Sequence, residues 1–253
     1  VAGFGGVLHK LPYLEDHEDL PALLKKAHET DAKLVYFANP DNPMATWRCG
    51  AEVLKALEGL PEGCLLVLDE AYIEFAPEGT AAPIEINDPR VIRLRTFSKA
   101  YGLAGARVGY ALGAAPLILA FNKIRNHFGM NRTSQIGALT ALSDQGYLAK
   151  TLEKVCAARE QIAKIAADNG LTSLPSAANF VAIDCGQGAG FAKAVLDGLI
   201  KRGVFVRMPF VAPQNRCIRV SCGTEADLRA FATALPEALA EAQTAAQTVA
   251  NAR

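Results

Sequence analysis

The chain has 253 residues, 51% of them apolar and 21% charged, and its 26 basic and 26 acidic side chains give a formal net charge of zero. This composition is typical of a soluble globular protein and excludes a disordered chain. A balanced charge argues against a general nucleic-acid binder or a polybasic membrane binder. The longest nearly apolar run, 109–121, contains Pro116 and is shorter than the ~20 residues that a membrane-spanning helix needs.

The first half of the chain alternates short apolar runs with helical patterns. Five runs predict strands, at Val7–Tyr13, Lys33–Ala38, Cys64–Glu70, Val91–Phe97 and Ala106–Leu112. Helical periodicity covers Leu20–Glu29, and Thr46 is a candidate N-cap for a second helix that ends near Leu60. This alternation predicts an α/β fold with a mostly parallel sheet.

The second half predicts a smaller α+β domain. Its helices are expected at 116–127, 134–143, 147–169, 188–202 and after Thr224. Its strands are expected at 179–185, 204–208 and 216–222, and a frayed tail at 243–253. We therefore place a large domain at residues 1–126 and a small C-terminal domain at residues 127–253.

The six cysteines and four histidines form no metal-binding pattern. The sequence contains neither a C-x-x-C nor an H-x-x-x-H pair, so zinc and thioredoxin-type chemistry are not supported. Most of the cysteines, such as Cys64 in CLLVLDE, lie in apolar surroundings, as buried thiols do. We expect no metal site, and we expect a cytoplasmic location, where thiols stay reduced.

The segment TFSKAYGLAGARVGYALG, residues 96–113, combines a lysine with groups that suit a phosphate ester. Lys99 directly follows a predicted strand, Thr96 and Ser98 supply hydroxyls, and Arg107 supplies a guanidinium. A lysine that forms an imine must lose its proton, which desolvation and neighbouring cations favour. Hydroxyls and an arginine bind phosphate oxygens. A lone lysine is usually a solvated surface residue, but this combination indicates an imine-forming lysine beside a phosphate.

Two other segments place polar side chains beside apolar strands. Asp69 ends the strand in LVLDEAY, where ligands of α/β folds gather, and a carboxylate there needs a positive partner such as a protonated pyridine nitrogen. Tyr72 can donate its phenol to an oxygen on the same ring. Asn42, fixed between prolines in ANPDNP, can hydrogen-bond a ring hydroxyl. Taken alone, each segment also fits a solvated strand end or a plain turn.

Three motifs in this order, N-P-D-N-P, D-E-A-Y and T-F-S-K-A-Y-G-L-A-G-A-R-V-G, make the chain resemble the fold-type I pyridoxal-phosphate aminotransferases (class I/II). Within that family the histidinol-phosphate aminotransferases are the most similar. The resemblance extends over essentially all residues, including C-I-R-V-S-C-G-T near the C-terminus. It implies the fold of the pyridoxal-phosphate-dependent transferases, with a cofactor-binding large domain, a smaller α+β domain and pyridoxal 5′-phosphate as cofactor.

The resemblance implies a role at the cofactor ring for four of these residues. Lys99 corresponds to the Schiff-base lysine, which also carries the proton between the substrate carbon and the cofactor. Asp69 corresponds to the partner of the pyridinium nitrogen, which keeps the ring an electron sink. Tyr72 and Asn42 correspond to the residues that bond the ring oxygen O3′.

The resemblance also implies which residues bind the anionic groups. Ser98 and Arg107 are assigned to the cofactor phosphate, with Thr96 in the same pocket. The resemblance assigns Arg219 to the acidic group of the substrate. Its position inside an apolar strand, where an unpaired charge is costly, argues against a merely solvated arginine. Arg207 matches a family arginine near the substrate phosphate, and a solvated strand end stays open as its alternative.

The chain begins with VAGFGGV, which resembles a strand well inside the family's large domain. On this resemblance, the N-terminal arm, the loop that cradles the cofactor phosphate and the aromatic residue that stacks on the ring have no counterpart. We therefore expect a large domain that is incomplete at its front. Because each active site of the family borrows residues from a partner subunit, a homodimer is expected.

The resemblance implies amino transfer from histidinol phosphate to 2-oxoglutarate, which yields imidazole acetol phosphate and glutamate in histidine biosynthesis. The expected ligands are an amine or amino acid with an anionic group and a 2-oxo acid, without nucleic acid or membrane. Threonine-phosphate decarboxylase and aromatic amino acid aminotransferase activity stay open as alternatives. A non-catalytic dimerisation remnant is the alternative from another class, and the intact Lys99, Asp69 and Arg107 argue against it.

Overall fold

A computed structural model describes residues 1–251, which divide into two compact units. Each unit gathers several stretches of the chain. Unit 1 consists of Val1–Asp41, Trp47–Ile73 and Pro77–Ser143. Unit 2 consists of Asn42–Thr46, Glu74–Ala76 and the chain from Asp144 onward. No helix in the described part of the chain is long and apolar enough to cross a membrane.

Unit 1 is built around a four-stranded sheet. Its helices are α1 (Leu20–Glu29), α2 (Gly50–Ala56), α3 (Ala115–Ala120) and α4 (Arg132–Ser143). Its strands are β1 (Leu34–Ala38), β2 (Leu65–Asp69), β3 (Val91–Thr96) and β4 (Gly109–Gly113). The strand order is β1-β2-β3-β4, with parallel pairing of β1 to β2 and β2 to β3 and antiparallel pairing of β3 to β4. The predicted α/β class with a mostly parallel sheet is confirmed.

Alternation of side chains along β1 and β2 decides which face of this sheet is buried. Phe37 and Leu66 lie in the core beneath α1 and α2, where each such side chain contributes about 1.5–3 kcal/mol. Tyr36 lies on the opposite face and is 54% exposed. Because the strands are parallel and in register, Ala38 pairs with Asp69 at their carboxyl ends. Polar side chains at these two strand ends are thereby brought together.

Unit 2 is built around a three-stranded antiparallel sheet. Its helices are α5 (Gln145–Asp168), α6 (Gly188–Lys201) and α7 (Glu225–Asn251). Its strands are β5 (Thr172–Ser173), β6 (Phe180–Asp184) and β7 (Cys217–Ser221), paired antiparallel in the order β5-β6-β7. Each long element contributes a fully buried side chain to one core, namely Ile162, Ile183, Leu199, Ile218 and Leu235.

Two predicted strands do not form in the described structure. Residues 7–13 have no strand assignment, and Val7 and Leu8 are 77% and 59% exposed. The predicted strand 204–208 is reduced to one antiparallel bridge between Arg207 and Arg219. Both predictions were wrong because an apolar run becomes a strand only where a neighbouring strand takes up its hydrogen bonds.

The helix boundaries differ most from the prediction at α2, α3 and α7. Helix α2 begins at Gly50 rather than after Thr46, because the Glu52 side chain accepts the Cys49 backbone N–H at 3.2 Å and so caps the helix there. Helix α3 ends at Ala120 and a 3₁₀ turn follows, so the predicted helix 116–127 is too long. Helix α7 continues through most of the predicted frayed tail, of which residues 252–253 lie outside the described residues.

Helix α4 belongs to unit 1. Ala138 packs with Phe97 and Val108, and the Ser134 hydroxyl donates to the Ala106 carbonyl at 2.7 Å. Because of these contacts, unit 1 extends to Ser143. The division of the chain between residues 126 and 127 stays a prediction.

Candidate active site

The carboxylate of Asp69 is held at the carboxyl end of β2. Its Oδ1 accepts the backbone N–H of Ala71 at 2.9 Å, and its Oδ2 accepts the hydroxyl of Tyr36 from the neighbouring strand. The Asp69 carbonyl accepts the N–H of Asn39 at 2.9 Å, which continues the β1–β2 pairing beyond the strand. The side chain is therefore fixed by donors from both strands.

Lys99 and Tyr72 meet after the ends of β3 and β2. Lys99 is half-buried, and its Nζ lies 5.0 Å from the centroid of the Tyr72 ring. Tyr72 is 6% exposed. The N–H of Gly102 donates to the Lys99 carbonyl at 3.0 Å, and Gly102 has a φ of +70°, which glycine adopts without strain. A tight turn thus presents one amine to one buried phenol.

The predicted phosphate-binding segment is tied to the same loop. The Thr96 hydroxyl accepts the Ser98 N–H at 3.0 Å and donates to the Val108 carbonyl at 3.4 Å. The Phe97 N–H donates to that same carbonyl at 3.1 Å. The neighbouring residue, Arg107, is exposed and has a φ of +55°, which is uncommon for a side chain with a Cβ. The Thr96 hydroxyl therefore fixes the loop that carries Ser98.

Arg219 of β7 and Asn42 form a polar contact within unit 2. Arg219 is half-buried, and its neighbours along the strand, Ile218 and Val220, are buried. Its Nη1 donates to the Oδ1 of Asn42, and its guanidinium lies 4.7 Å from the centroid of the Phe180 ring. With Oδ1 used as an acceptor, the amide nitrogen of Asn42 is the donating end of that side chain.

Arg207 is the bridge partner of Arg219. Its N–H donates to the Arg219 carbonyl at 3.1 Å, and the Arg219 N–H donates in return at 2.6 Å. Side chains of directly opposed residues in an antiparallel pair lie on the same face. Arg207 is exposed, and its guanidinium is 5.9 Å from the centroid of the Phe205 ring. Two arginines on one face provide positive charge for an anion.

Most of the chain matches one known protein family. Residues 6–235 match the family of class I and II aminotransferases. The chain belongs to this family. The family match covers both units and all nine of the site residues that the sequence predicts.

Among curated members of the family, the chain is similar to histidinol-phosphate aminotransferases. The enzyme named histidinol-phosphate aminotransferase 2 of Pseudomonas fluorescens (strain Pf0-1) is 38% identical over 235 residues, 91% of this chain and 62% of the relative. Its namesake from Carboxydothermus hydrogenoformans is 36% identical over 228 residues, 88% of this chain and 62% of the relative. The chain thus spans about three fifths of the length of these relatives.

Two solved structures share the fold of this chain. The crystal structure of a histidinol-phosphate aminotransferase from Sinorhizobium meliloti in complex with pyridoxal-5′-phosphate matches with a TM-score of 0.92 and 53% identity, over 94% of this chain and 66% of that one. An L-threonine-O-3-phosphate decarboxylase from Porphyromonas gingivalis matches with a TM-score of 0.68 and 20% identity, over 80% and 63% of the two chains. The second likeness concerns the fold alone.

The predicted site residues of this aminotransferase chain fall into two groups. Unit 1 contains the lysine, the carboxylate, the phenol and the phosphate-binding candidates, namely Asp69, Tyr72, Thr96, Ser98, Lys99 and Arg107. Unit 2 contains the amide and the two substrate candidates, namely Asn42, Arg207 and Arg219.

Sequence reasoning missed a group of carboxylates and phenols near the end of β1. The Tyr13 hydroxyl donates to Oδ2 of Asp41 at 2.7 Å, and Glu18 accepts the backbone N–H of Ala38 at 3.1 Å. Asp41 is 1% exposed. Burial, with the nearby charges of Asp41 and Asp69, raises the pKa of the Glu18 carboxyl to about 7. The one available signal was the position of Asp41 inside the rigid N-P-D-N-P turn.

A second missed feature is the buried ion cluster around Glu70, the residue after Asp69. Glu70 is 1% exposed and accepts two bonds from Arg93, at 2.7 and 3.0 Å, and one from Arg95 at 2.8 Å. The signal was present in β3, where arginines two residues apart lie on one face of a strand. The cluster joins β2 to β3 directly beside the candidate active site.

Proposed function

We propose that this protein transfers the amino group of histidinol phosphate to 2-oxoglutarate with pyridoxal 5′-phosphate as its cofactor. The products are imidazole acetol phosphate and glutamate. The observation that carries the proposal is the pair of Lys99 and Tyr72, with Nζ 5.0 Å from the ring centroid, at the edge of the sheet where Asp69 ends β2. The relatives named histidinol-phosphate aminotransferases support the choice of substrate.

The donor set of unit 1 fits this cofactor. A carboxylate with two fixed donors, Asp69, suits a protonated ring nitrogen, and a buried phenol, Tyr72, suits a ring oxygen. The hydroxyl of Ser98 and the guanidinium of Arg107 are groups that bind a phosphate. Lys99 is half-buried, and its Nζ is the amine that lies 5.0 Å from the centroid of the Tyr72 ring.

When bound, the cofactor supplies an electron sink for the carbon from which the substrate loses its proton. Lys99 would hold the cofactor through Nζ between turnovers and then move that proton as a general base and acid. Asp69 would keep the ring nitrogen protonated by accepting its hydrogen bond, which is worth about 1.5–3 kcal/mol for a charged pair. Tyr72 and the amide nitrogen of Asn42 would donate to the ring oxygen.

The remaining residues would bind anions. Ser98 and Arg107 would bind the cofactor phosphate, while Thr96 supports the loop through its bonds to Ser98 and Val108. Arg219 would bind the phosphate of the substrate, and Arg207, its neighbour on the same face of the bridge, would add positive charge.

We further propose a homodimer located in the cytoplasm and acting in histidine biosynthesis. The six free cysteines support the location, because thiols stay reduced in that compartment. Sedimentation of the purified chain tests the dimer: a mass of one chain at micromolar concentration would contradict it.

The test of the proposed activity is a visible absorption titration of the purified chain with pyridoxal phosphate, followed by histidinol phosphate. We expect a yellow band that is absent in Lys99→Ala and that bleaches with histidinol phosphate. The control amines are phosphothreonine and phenylalanine, the substrates of the alternative activities. A band that ignores histidinol phosphate and responds to either control would reject the substrate, and no band would reject the proposal for this chain.

A further inference from the structure

Tyr36 is placed to act on Asp69 across the β1–β2 pair. Tyr36 pairs with Val67, two residues before Asp69, so both side chains lie on the same face of the sheet. The phenol reaches across to the residue two positions beyond its strand partner Val67, and its hydroxyl donates to Oδ2 of Asp69. No motif in the sequence singles out Tyr36, which lies within the apolar strand LVYFA.

The two donors to Asp69 restrict its carboxylate. The Ala71 N–H bonds Oδ1 and the Tyr36 hydroxyl bonds Oδ2, so each oxygen has one fixed partner. A carboxylate oxygen accepts about two hydrogen bonds, and each therefore keeps an acceptor position for a third group. With a donor on both oxygens, the plane of the carboxylate is set by the protein rather than by the ligand.

The Tyr36 hydroxyl remains a donor at neutral pH. Desolvation and the hydrogen bond to Asp69 both raise its pKa above the ordinary value for tyrosine. The backbone donor, Ala71, is fixed by the turn after β2, whereas the Tyr36 hydroxyl can be removed by substitution.

We propose that Tyr36 is a positioning residue, whose hydroxyl holds the Asp69 carboxylate in the orientation that accepts the hydrogen bond of the cofactor ring nitrogen. The inference rests on the proposed function. It adds a residue of β1 to the site, although the motif that ends this strand, N-P-D-N-P, begins three residues later.

Tyr13 offers a matched control. Its hydroxyl also donates to a carboxylate near the end of β1, with 2.7 Å between the hydroxyl and Oδ2 of Asp41. Tyr36→Phe and Tyr13→Phe each remove one phenolic hydroxyl from one carboxylate in the same unit. Only the first change touches Asp69.

The experiment measures the dissociation constant of pyridoxal phosphate by absorbance for the full chain and its variants. Tyr36→Phe should weaken binding about tenfold, as the loss of a hydrogen bond to a charged group does, and Tyr13→Phe should leave binding unchanged. In an Asp69→Asn background, Tyr36→Phe should have no further effect, because residues that act through one another are not additive. The same tenfold loss in both backgrounds would overturn the inference.

A second measurement separates positioning from a general loss of packing. The probe is 1-deaza-pyridoxal phosphate, which has carbon in place of the ring nitrogen. Tyr36→Phe should leave the affinity for this analogue unchanged while it weakens the binding of pyridoxal phosphate, and thermal unfolding without cofactor checks that the variant folds. Equal weakening of both ligands would overturn the inference.

The outcomes keep the two proposals apart. If the wild-type chain binds pyridoxal phosphate through Lys99 and Tyr36→Phe binds it equally well, the role of Tyr36 is rejected and the proposed function stands. If the wild-type chain gives no saturable binding, the proposed function is rejected, and the role of Tyr36 falls with it.

Discussion

The two sheets of this protein place their polar groups in different ways. In the mostly parallel sheet of unit 1, the candidate residues lie at the carboxyl ends of strands or in the loops that follow, as Asp69 ends β2 and Lys99 follows β3. In the antiparallel sheet of unit 2, Arg219 lies within β7, and its bridge partner Arg207 comes from a segment that is not a strand. In unit 1, the order of the parallel strands brings the polar side chains together. In unit 2, pairing across an antiparallel bridge does so.

This difference explains what a motif can reveal. Loops after parallel strands are continuous in sequence, so D-E-A-Y and T-F-S-K each carry several site residues together. Arg207 and Arg219 lie twelve residues apart in no common motif, so their position on one face becomes visible only once the register is known. The predictions below test the groups of unit 1 against those of unit 2.

The largest expected effect is that of Lys99→Ala in unit 1. Loss of the general base and of the cofactor attachment should lower the transamination rate by about 10⁴-fold, the upper range for a group that transfers protons. Steady-state assay with histidinol phosphate and 2-oxoglutarate measures it. Lys123→Ala is the control and should behave as wild type; a Lys99→Ala chain with more than a tenth of wild-type activity would contradict the role.

Glu70→Ala should cause the largest loss of stability. It leaves Arg93 and Arg95 unpaired on a partly buried strand, which costs about 3–5 kcal/mol in free energy of unfolding. Urea denaturation measures the change. The control is Lys33→Ala, which breaks the exposed ion pair with Asp31 and should cost less than about 1 kcal/mol. Equal losses in the two variants would mean that the Glu70 cluster adds no more than a surface pair.

In unit 2, Arg219→Gln should raise the KM for histidinol phosphate about ten- to hundredfold, because a charged hydrogen bond is lost. Arg207→Gln should raise it less, since Arg207 is exposed and Arg219 is half-buried. Both KM values come from the same steady-state assay. A larger effect for Arg207 would reverse their assignment.

The last prediction is a pH dependence of stability at Glu18. Its pKa in the folded protein, about 7, exceeds the ordinary value of 4.5, so its contribution to stability is present below pH 4.5 and is lost as the pH rises through 7. Glu18→Gln should therefore gain about 3 kcal/mol relative to wild type between pH 4.5 and pH 8. Urea denaturation across this range measures it, with exposed Glu78→Gln as the control; parallel curves for wild type and Glu18→Gln would refute it.

The fold was largely predictable because its elements obey local rules. The prediction of α1 at Leu20–Glu29 is confirmed to the residue, since Asp19 caps it by accepting the Ala22 N–H at 3.0 Å. The predicted strand at Val7–Tyr13 was wrong because an apolar run alone does not show whether a partner strand is present to pair with it. Tyr36 and Glu18 escaped prediction because their contacts to the site depend on the register of β1 with β2 and on the approach of a loop.

The central claim, that Lys99 attaches the cofactor, is tested most directly by reduction. The purified chain is incubated with pyridoxal phosphate, treated with sodium borohydride, digested and mapped by mass spectrometry. We predict one phosphopyridoxyl group, on the peptide that contains Lys99, at close to one per chain. A label spread over exposed lysines, or concentrated on a lysine other than Lys99, would contradict the account.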